Sequence, residues 1–386
     1  GRFTAVASSA FAAADVAGEA AGLEGGGTGP RLGTGRINQP QQGERILAAG
    51  QAEVGGMTRA LFCDPRMPTK TRAGRAEDVR ACIACNQACI GHFHKGLPIS
   101  CIQHPETGRE LVFGELQQAV KPKRIMVVGG GPAGMKAAAV AAQRGHAVTL
   151  YEASGQLGGQ VLLAQLLPRR SEFGGASTNL QREMELVDVR VVRHTRVDRA
   201  LVEQEQPDHV IIATGAEPYW PAFERGGELQ VVDAWQVLRE QVTLGRSVVV
   251  VDWRCDWIGP GIAERLVRAG HQVQLAVNGT HCGENLPLYV RDQMAGELHR
   301  LGIPIIPYAR LYGCDDTTVY LQHTASGEPM LLENVDTLVW CQGHQPVDTL
   351  AAGLQGVVPV DRIGDCLAPR TAEEAIYEGL KVAWNL

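Results

Sequence analysis

Arg124-Ile-Met-Val-Val128, then Gly129-Gly-Gly-Pro-Ala-Gly134, then His146-Ala-Val-Thr-Leu-Tyr151-Glu152 decide the fold of this 386-residue chain. A short apolar run closed by glycines reads as a buried parallel strand. The glycine turn leads into an Ala-rich helix over Met135–Arg144, and a second strand ends at Glu152. Gly129 permits the tight turn, Gly131 admits a pyrophosphate against the backbone, and Gly134 lets helix and strand pack closely. Glu152 stands about 20 residues further on, where a carboxylate accepts hydrogen bonds from a ribose diol. The hexapeptide alone is weak; the complete strand–turn–helix–strand unit points to a bound dinucleotide, against a Rossmann unit with an empty site.

Further elements extend this unit. Asp208-His-Val-Ile-Ile-Ala-Thr214-Gly215 is another apolar strand, and Asp361-Arg-Ile-Gly-Asp365-Cys366 closes a late one before a helix over Thr371–Leu380. A Gly-Asp pair ahead of a helix suits the ribityl and phosphate part of a flavin, although Asp365 serves equally as a helix cap. Between them lies a second unit of the same kind. Gly245–Val251 is its strand, Ile262–Ala269 its helix and His271–Val277 the next strand, but the turn reads Asp252-Trp-Arg-Cys-Asp-Trp-Ile-Gly259-Pro-Gly261. Only Gly259, the packing glycine, survives. Arg254 and Asp256 stand where backbone must approach phosphate, so nicotinamide dinucleotide binding is not expected there.

Upstream, Cys82-x2-Cys85-x3-Cys89-x11-Cys101 places four cysteines within twenty residues. Three thiolates in one loop with a fourth returning suit a [4Fe–4S] cluster, in which each iron takes one soft sulfur ligand. Structural zinc, which usually uses two separated C-x2–4-C pairs, and unligated thiols are the rival readings. Ahead of the loop, Arg31-Leu-Gly-Thr-Gly-Arg-Ile-Asn38 with a helix over Gln41–Gly50, and Ala52-Glu-Val-Gly-Gly-Met-Thr-Arg-Ala-Leu61, form two strand–loop–helix units. Glycine and arginine just after a strand suit the phosphate loops that end a β/α barrel, or are ordinary turns with a surface arginine.

Composition narrows the classes. Apolar residues make up 45% of the chain, as in ordinary globular proteins. A net charge of −6 without a dense basic stripe excludes nucleic acid as the expected partner. Apolar runs such as Ser247–Val251 are strand-length, so no membrane span is expected. The six cysteines outside the loop are scattered, as reduced thiols of a cytoplasmic protein are. The expected organisation is an Ala/Gly-rich segment over 1–30, the last two units of a β/α barrel over 31–61 and the cluster segment over 62–122. A first Rossmann domain over 123–240 plus 343–386 and a degenerate NAD(P)-type domain over 241–342 complete it. The fold class is α/β, with two glutathione-reductase-like dinucleotide domains. The missing initiator Met reflects either its removal before Gly1 or a fragment.

Gly33-Thr-Gly-Arg-Ile-Asn38, Gly56-Met-Thr-Arg-Ala-Leu61, the cysteine loop, Ser100-Cys-Ile-Gln-His-Pro-Glu-Thr-Gly-Arg-Glu110 and Gly129–Gly134 follow in one order. That order resembles the iron–sulfur flavoproteins related to trimethylamine dehydrogenase and 2,4-dienoyl-CoA reductase. Asn86-Gln-Ala-Cys-Ile-Gly-His-Phe-His-Lys-Gly96 looks most like the dimethylglycine and N-methylproline demethylase branch. The resemblance covers about residues 31–386 and departs at the second Rossmann turn and in the absence of most of the barrel. It implies FMN on Gly35, Arg36, Thr58 and Arg59, and a [4Fe–4S] cluster on Cys82, Cys85, Cys89 and Cys101. It implies FAD or ADP along Gly129, Gly131, Ala133, Glu152, Gly159, Gln160, Thr214, Gly215 and Asp365. His92 and His94 are read as packing around the ligands; catalytic residues are not identified, because the substrate contacts belong to earlier barrel strands.

The implied reaction is oxidative demethylation of a small N-methyl amine such as dimethylglycine. FMN takes a hydride equivalent, water splits the iminium to release formaldehyde, and electrons pass through the cluster to an acceptor such as electron-transfer flavoprotein. A partner chain, or a longer version of this one, completes the barrel. An NADPH-dependent enoyl-thioester reductase and a non-catalytic electron-transfer subunit are the alternatives.

Overall fold

The computed structural model describes residues 30–386; the Ala/Gly-rich segment expected over 1–30 lies outside the described residues except for Pro30. Two five-stranded parallel sheets organise the chain. In the first the strand order is Val360–Arg362, His209–Ile212, Arg124–Val128, Ala147–Tyr151, Arg190–Val192. Strand Arg124–Val128 sits at its centre, paired with Ala147–Tyr151 on one side and His209–Ile212 on the other. Its last four residues are buried, because helices cover both faces of such a sheet.

The helix predicted after the glycine turn spans Pro132–Gln143, starting with proline in its first turn, where the missing N–H costs nothing. Its alanines have a packing reason. A Cβ built on Gly379 of the C-terminal helix Ala372–Trp384 would lie 2.4 Å from the Ala133 carbonyl, so the two helices touch almost backbone to backbone. Ala137, Ala138, Ala139 and Ala141 are fully buried there. That helix starts on a capping box in which Thr371 and Glu374 satisfy each other's backbone N–H groups.

The second sheet runs Ile305–Ile306, Gln272–Val277, Ser247–Asp252, Thr337–Cys341, Gln230–Asp233, all parallel. Strand Gln230–Asp233 and helix Ala234–Leu238 therefore run with the second unit, although they precede the boundary expected at 240. Strand Glu224–Arg225 also pairs with this unit, at Gly313–Cys314. The chain crosses between units on the antiparallel pair Ala216–Pro218 and His344–Pro346. Sequence spacing hid this early crossover because the crossing strands are only three residues long.

Near the N-terminal end, strands Leu32–Thr34 and Val54–Gly56 pair in parallel with helix Pro40–Ala48 between them. The segment over 62–122 has little regular structure, as expected, beyond short helical turns. It is fixed to the first unit by a buried charge network. Arg80 donates to Glu183, and Lys136 lies 3.1 Å from Glu106 and 3.6 Å from Glu183. Lys136 belongs to the helix after the glycine turn, so the cysteine segment and the dinucleotide unit share these charges. No helix among the described residues is long and apolar enough to cross a membrane.

Candidate functional site

The first glycine turn is shaped for a ligand. A Cβ on Gly129 would meet the Ala213 carbonyl oxygen at 2.3 Å, and one on Gly134 would meet the Gly129 carbonyl oxygen at 2.0 Å. These two glycines are demanded by the fold. Gly131 is different, because a Cβ there would meet nothing within 4 Å. Its surroundings are open, as a cradle for a pyrophosphate requires. Glu152 is oriented by two backbone donors, Gly130 N at 2.8 Å and Ser154 N at 2.7 Å. Each carboxylate oxygen keeps lone pairs for a ribose diol.

Other expected contacts gather at the same end of the sheet. Gly159, with φ +53°, lies against Gly131, where its Cβ would be 3.1 Å from the Gly131 Cα. Gln160 Nε2 donates to Asp365 Oδ2 at 2.8 Å, joining residues 205 apart in sequence. Burial raises the Asp365 carboxyl, against the opposing hydrogen bonds from Arg370 N and Gln160. Thr214 donates its hydroxyl to the Val347 carbonyl, and Gly215 has φ +76° with open space around it. Ala133 is buried, its side chain packed on Gly364 rather than facing the opening.

Cys82, Cys85, Cys89 and Cys101 line one small cavity, walled by Phe62, Ile83 and Ile102 and reached by Arg59 and Asn86. Ala84 at φ 50° and Asn86 at φ 59° turn the loop sharply enough to bring three cysteines round one space. The Ser100 N–H donates to the Ala88 carbonyl at 2.7 Å and returns Cys101 to it. Burial raises the Cys82 thiol to about 11 and also raises Cys85 and Cys89. Cys101 is lowered to about 7, chiefly by a hydrogen bond from Cys63. The three raised thiols, Cys82, Cys85 and Cys89, stay protonated at neutral pH unless a metal displaces the proton. Among the described residues, no three His, Cys, Asp or Glu side chains are grouped to hold a metal ion. Tetrahedral zinc needs all its sulfurs about 2.3 Å from one centre, whereas a cluster spreads its thiolates over separate irons. Four soft sulfur donors on one cavity are the donor type that a [4Fe–4S] cluster takes.

The phosphate-loop candidates lie beside this cavity. Gly35 has φ 120° and Arg36 φ 44°, a tight corner after strand Leu32–Thr34. Arg36 is buried and ion-paired with Glu172 of the first dinucleotide unit. Arg59 Nη1 donates to Asn86 Oδ1 at 2.6 Å, and Thr58 opens the short helix Thr58–Cys63. Asn38 Nδ2 donates to the Cys82 carbonyl at 2.8 Å, so the two strand–loop–helix units and the cysteine loop form one surface.

The second turn is filled by its own side chains. Asp252 Oδ1 accepts from Arg254 N at 3.1 Å and Cys255 N at 3.0 Å, while its buried Oδ2 has no hydrogen-bond partner. Burial, with Asp256 nearby, holds the Asp252 carboxyl far above the ordinary range. Arg254 Nε pairs with Asp256 Oδ2 at 3.0 Å, and the arginine stem lies over Gly343. Gly259 is required for packing, since a Cβ there would strike Asp252 at 2.5 Å.

Several residues around the cysteine loop carried no pattern in the sequence. Gln103 Nε2 donates to Cys63 Sγ at 3.2 Å and to the Ala81 carbonyl at 3.0 Å. Tyr289, from the second unit, reaches the Asn86 carbonyl at 3.4 Å. Arg170 lies 4.6 Å from the ring centres of both Phe173 and Trp257. Gln103 lies two residues from Cys101, but Arg170 and Tyr289 are far from the cysteines in sequence, and only the fold brings them there.

The chain is 32% identical over 398 residues to an N,N-dimethylglycine/sarcosine dehydrogenase of Chromohalobacter salexigens, covering 90% of this chain and 56% of that protein. It is 35% identical over 278 residues to an NADH oxidase of Thermoanaerobacter brockii, covering 71% of this chain and 42% of that one. A solved 2-naphthoyl-CoA reductase superposes with a TM-score of 0.88 at 27% identity, over 99% of this chain and 58% of that one. The chain thus spans about half the length of these relatives. Residues 123–377, both dinucleotide units together, match the model of the pyridine nucleotide-disulphide oxidoreductases, and the chain belongs to that family.

Proposed function

We propose that this chain is the electron-transferring part of an iron–sulfur flavoprotein dehydrogenase that oxidatively demethylates an N-methyl amine such as dimethylglycine. The observation that carries the reading is the convergence of four cysteines on one cavity, flanked by the Arg36 and Arg59 loops and docked on the first dinucleotide unit. Similarity to a dimethylglycine/sarcosine dehydrogenase supports the substrate class. When bound, FMN supplies amine oxidation and the cluster supplies one-electron transfer toward a soluble acceptor such as electron-transfer flavoprotein. Cys82, Cys85, Cys89 and Cys101 hold the cluster. Arg36 and Arg59, with Gly35 and Thr58, grip the FMN phosphate. Glu152 orients the ribose of FAD or ADP, Gly131 admits its pyrophosphate, and Gln160 with Asp365 lies further along. Leu32 and Val54 are exposed on the strand pair, where earlier barrel strands from a longer chain or a partner would cover them.

Anaerobically purified protein is expected to hold about four irons and four sulfides per chain, lost in Cys85→Ala. Stoichiometric zinc without sulfide would count against the reading. Demethylation, followed by formaldehyde release, is expected only with the earlier barrel strands present.

A second reading, a nicotinamide-dependent reductase, draws support from the similarity to an NADH oxidase and a 2-naphthoyl-CoA reductase. The Arg254–Asp256 pair counts against it. Anaerobic stopped-flow mixing separates the two: rapid bleaching of bound flavin by NADH or NADPH would favour the reductase.

A further inference from the structure

We propose that Arg170 is the fixed counter-charge of the cluster held by the cysteine loop, and that the altered turn of the second dinucleotide unit serves to hold it there. The inference rests on the [4Fe–4S] reading above. Arg170 and Cys85 line the same cavity, together with Ala84 and Trp257. The Arg170 guanidinium carbon lies 4.6 Å from the ring centre of Phe173, in the first unit, and 4.6 Å from that of Trp257, in the second. Planar guanidinium suits such stacking and stays protonated in buried surroundings.

What Arg170 lacks is an acid. Its Nε is buried without a hydrogen-bond partner. The neighbouring carboxylates are committed elsewhere. Asp256 accepts from Arg254 Nε at 3.0 Å and Ile258 N at 2.9 Å. Glu264 accepts from Arg169 at 2.6 Å and Arg268 at 3.0 Å. A partly buried cation without a carboxylate of its own is costly. Cys85 shares its cavity, and its sulfur becomes a negative group once it ligates metal. Arg170 then has a counter-ion, and the sulfur has a fixed cation.

The second turn acquires a use on this reading. Trp257 stands between the positions of the second and third fingerprint glycines, and Asp256 immediately before it is pinned by Arg254. The fingerprint leaves the position of Trp257 free, and the Arg254–Asp256 pair fixes the corner just before it. That corner sets the Trp257 ring against Arg170. One electron entering the cluster adds one unit of negative charge, with no bond made or broken. Arg170 favours that charge and raises the reduction potential, the effect that nearby charge has on such centres.

The test is a potentiometric titration of the anaerobically purified full chain with dithionite, followed by electron paramagnetic resonance. Arg170→Met is expected to lower the reduction equilibrium constant about tenfold, about 59 mV more negative for a one-electron couple, at unchanged iron and sulfide content. Arg170→Lys, which keeps the charge, is expected to retain most of the wild-type potential. Trp257→Leu is expected to shift it in the same direction as Arg170→Met by a smaller amount. A complete cluster with wild-type potential in Arg170→Met overturns the inference and leaves the cluster reading standing. Should that variant fail to assemble, an unshifted Trp257→Leu overturns it. Wild-type protein without iron and sulfide overturns both.

Discussion

The two dinucleotide units share one topology and differ at one turn. In the first, Gly129 and Gly134 are held to glycine by contacts under 2.5 Å, while Gly131 faces open space. In the second, Gly259 alone keeps the packing role, and Asp252, Arg254 and Asp256 fill the remainder with hydrogen bonds and an ion pair. The comparison separates two requirements that the fingerprint fuses. Packing of helix on strand needs glycine where Cβ would strike backbone. Ligand entry needs glycine where nothing else stands. A unit that loses the second requirement keeps its sheet, because the parallel ladder of Ser247–Asp252 with both neighbours is untouched.

Substitutions can break this comparison, starting with the largest effect. Gly134→Val places carbon where only 2.0 Å separates a Cβ from the Gly129 carbonyl. It is expected to destabilise the first unit by more than about 4 kcal/mol, or to prevent folding, as read by urea denaturation. A soluble variant of wild-type stability would show that the turn has room for a branched side chain.

Acid is next. Burial alone would raise Glu106, but Lys136, His104 and Arg80 outweigh it and lower the carboxyl to about 2. A folded value below the ordinary 4.5 means stability is fully present above that pH and is lost as pH falls toward 2. The loss is expected to reach at most about 3 kcal/mol, following the free energy of one pKa unit, and to vanish in Glu106→Gln. Denaturation midpoints between pH 5 and 2 read it; an identical slope in that variant would remove Glu106 from the account.

Asp252→Asn sharpens the comparison from the second turn. Its folded pKa is raised, so its ionised form costs stability as pH rises. Asparagine keeps the Oδ1 that accepts both backbone N–H groups and removes the charge. A gain of about 1–2 kcal/mol at neutral pH is expected, because the amide has no charged form to desolvate beside Asp256. Loss of stability instead would mean that the carboxylate has a partner in solution.

The smallest change in stability belongs to Gly131→Ala, expected within about 0.5 kcal/mol because its Cβ meets nothing. Its nucleotide content should nevertheless fall sharply, measured by mass spectrometry of the denatured supernatant. Full retention of FAD or ADP would separate open space at Gly131 from a phosphate path.

Local residues alone made the first unit legible: strand, turn, helix and strand lie within some thirty residues. The cysteine spacing was legible for the same reason, since three of the four lie within eight residues. What the spacing left open was the wall of the site. Arg59, Arg170 and Tyr289 reach the loop from separate parts of the chain, and no periodicity encodes such meetings. The crossover at Ala216–Pro218 was likewise invisible, because strands of three residues carry too little pattern, and only their pairing with His344–Pro346 marks them. Sequence determined which turns can exist here, through sterics that act over a few bonds. Tertiary structure decided which of them faces open space and which is filled, because that depends on side chains delivered by distant segments.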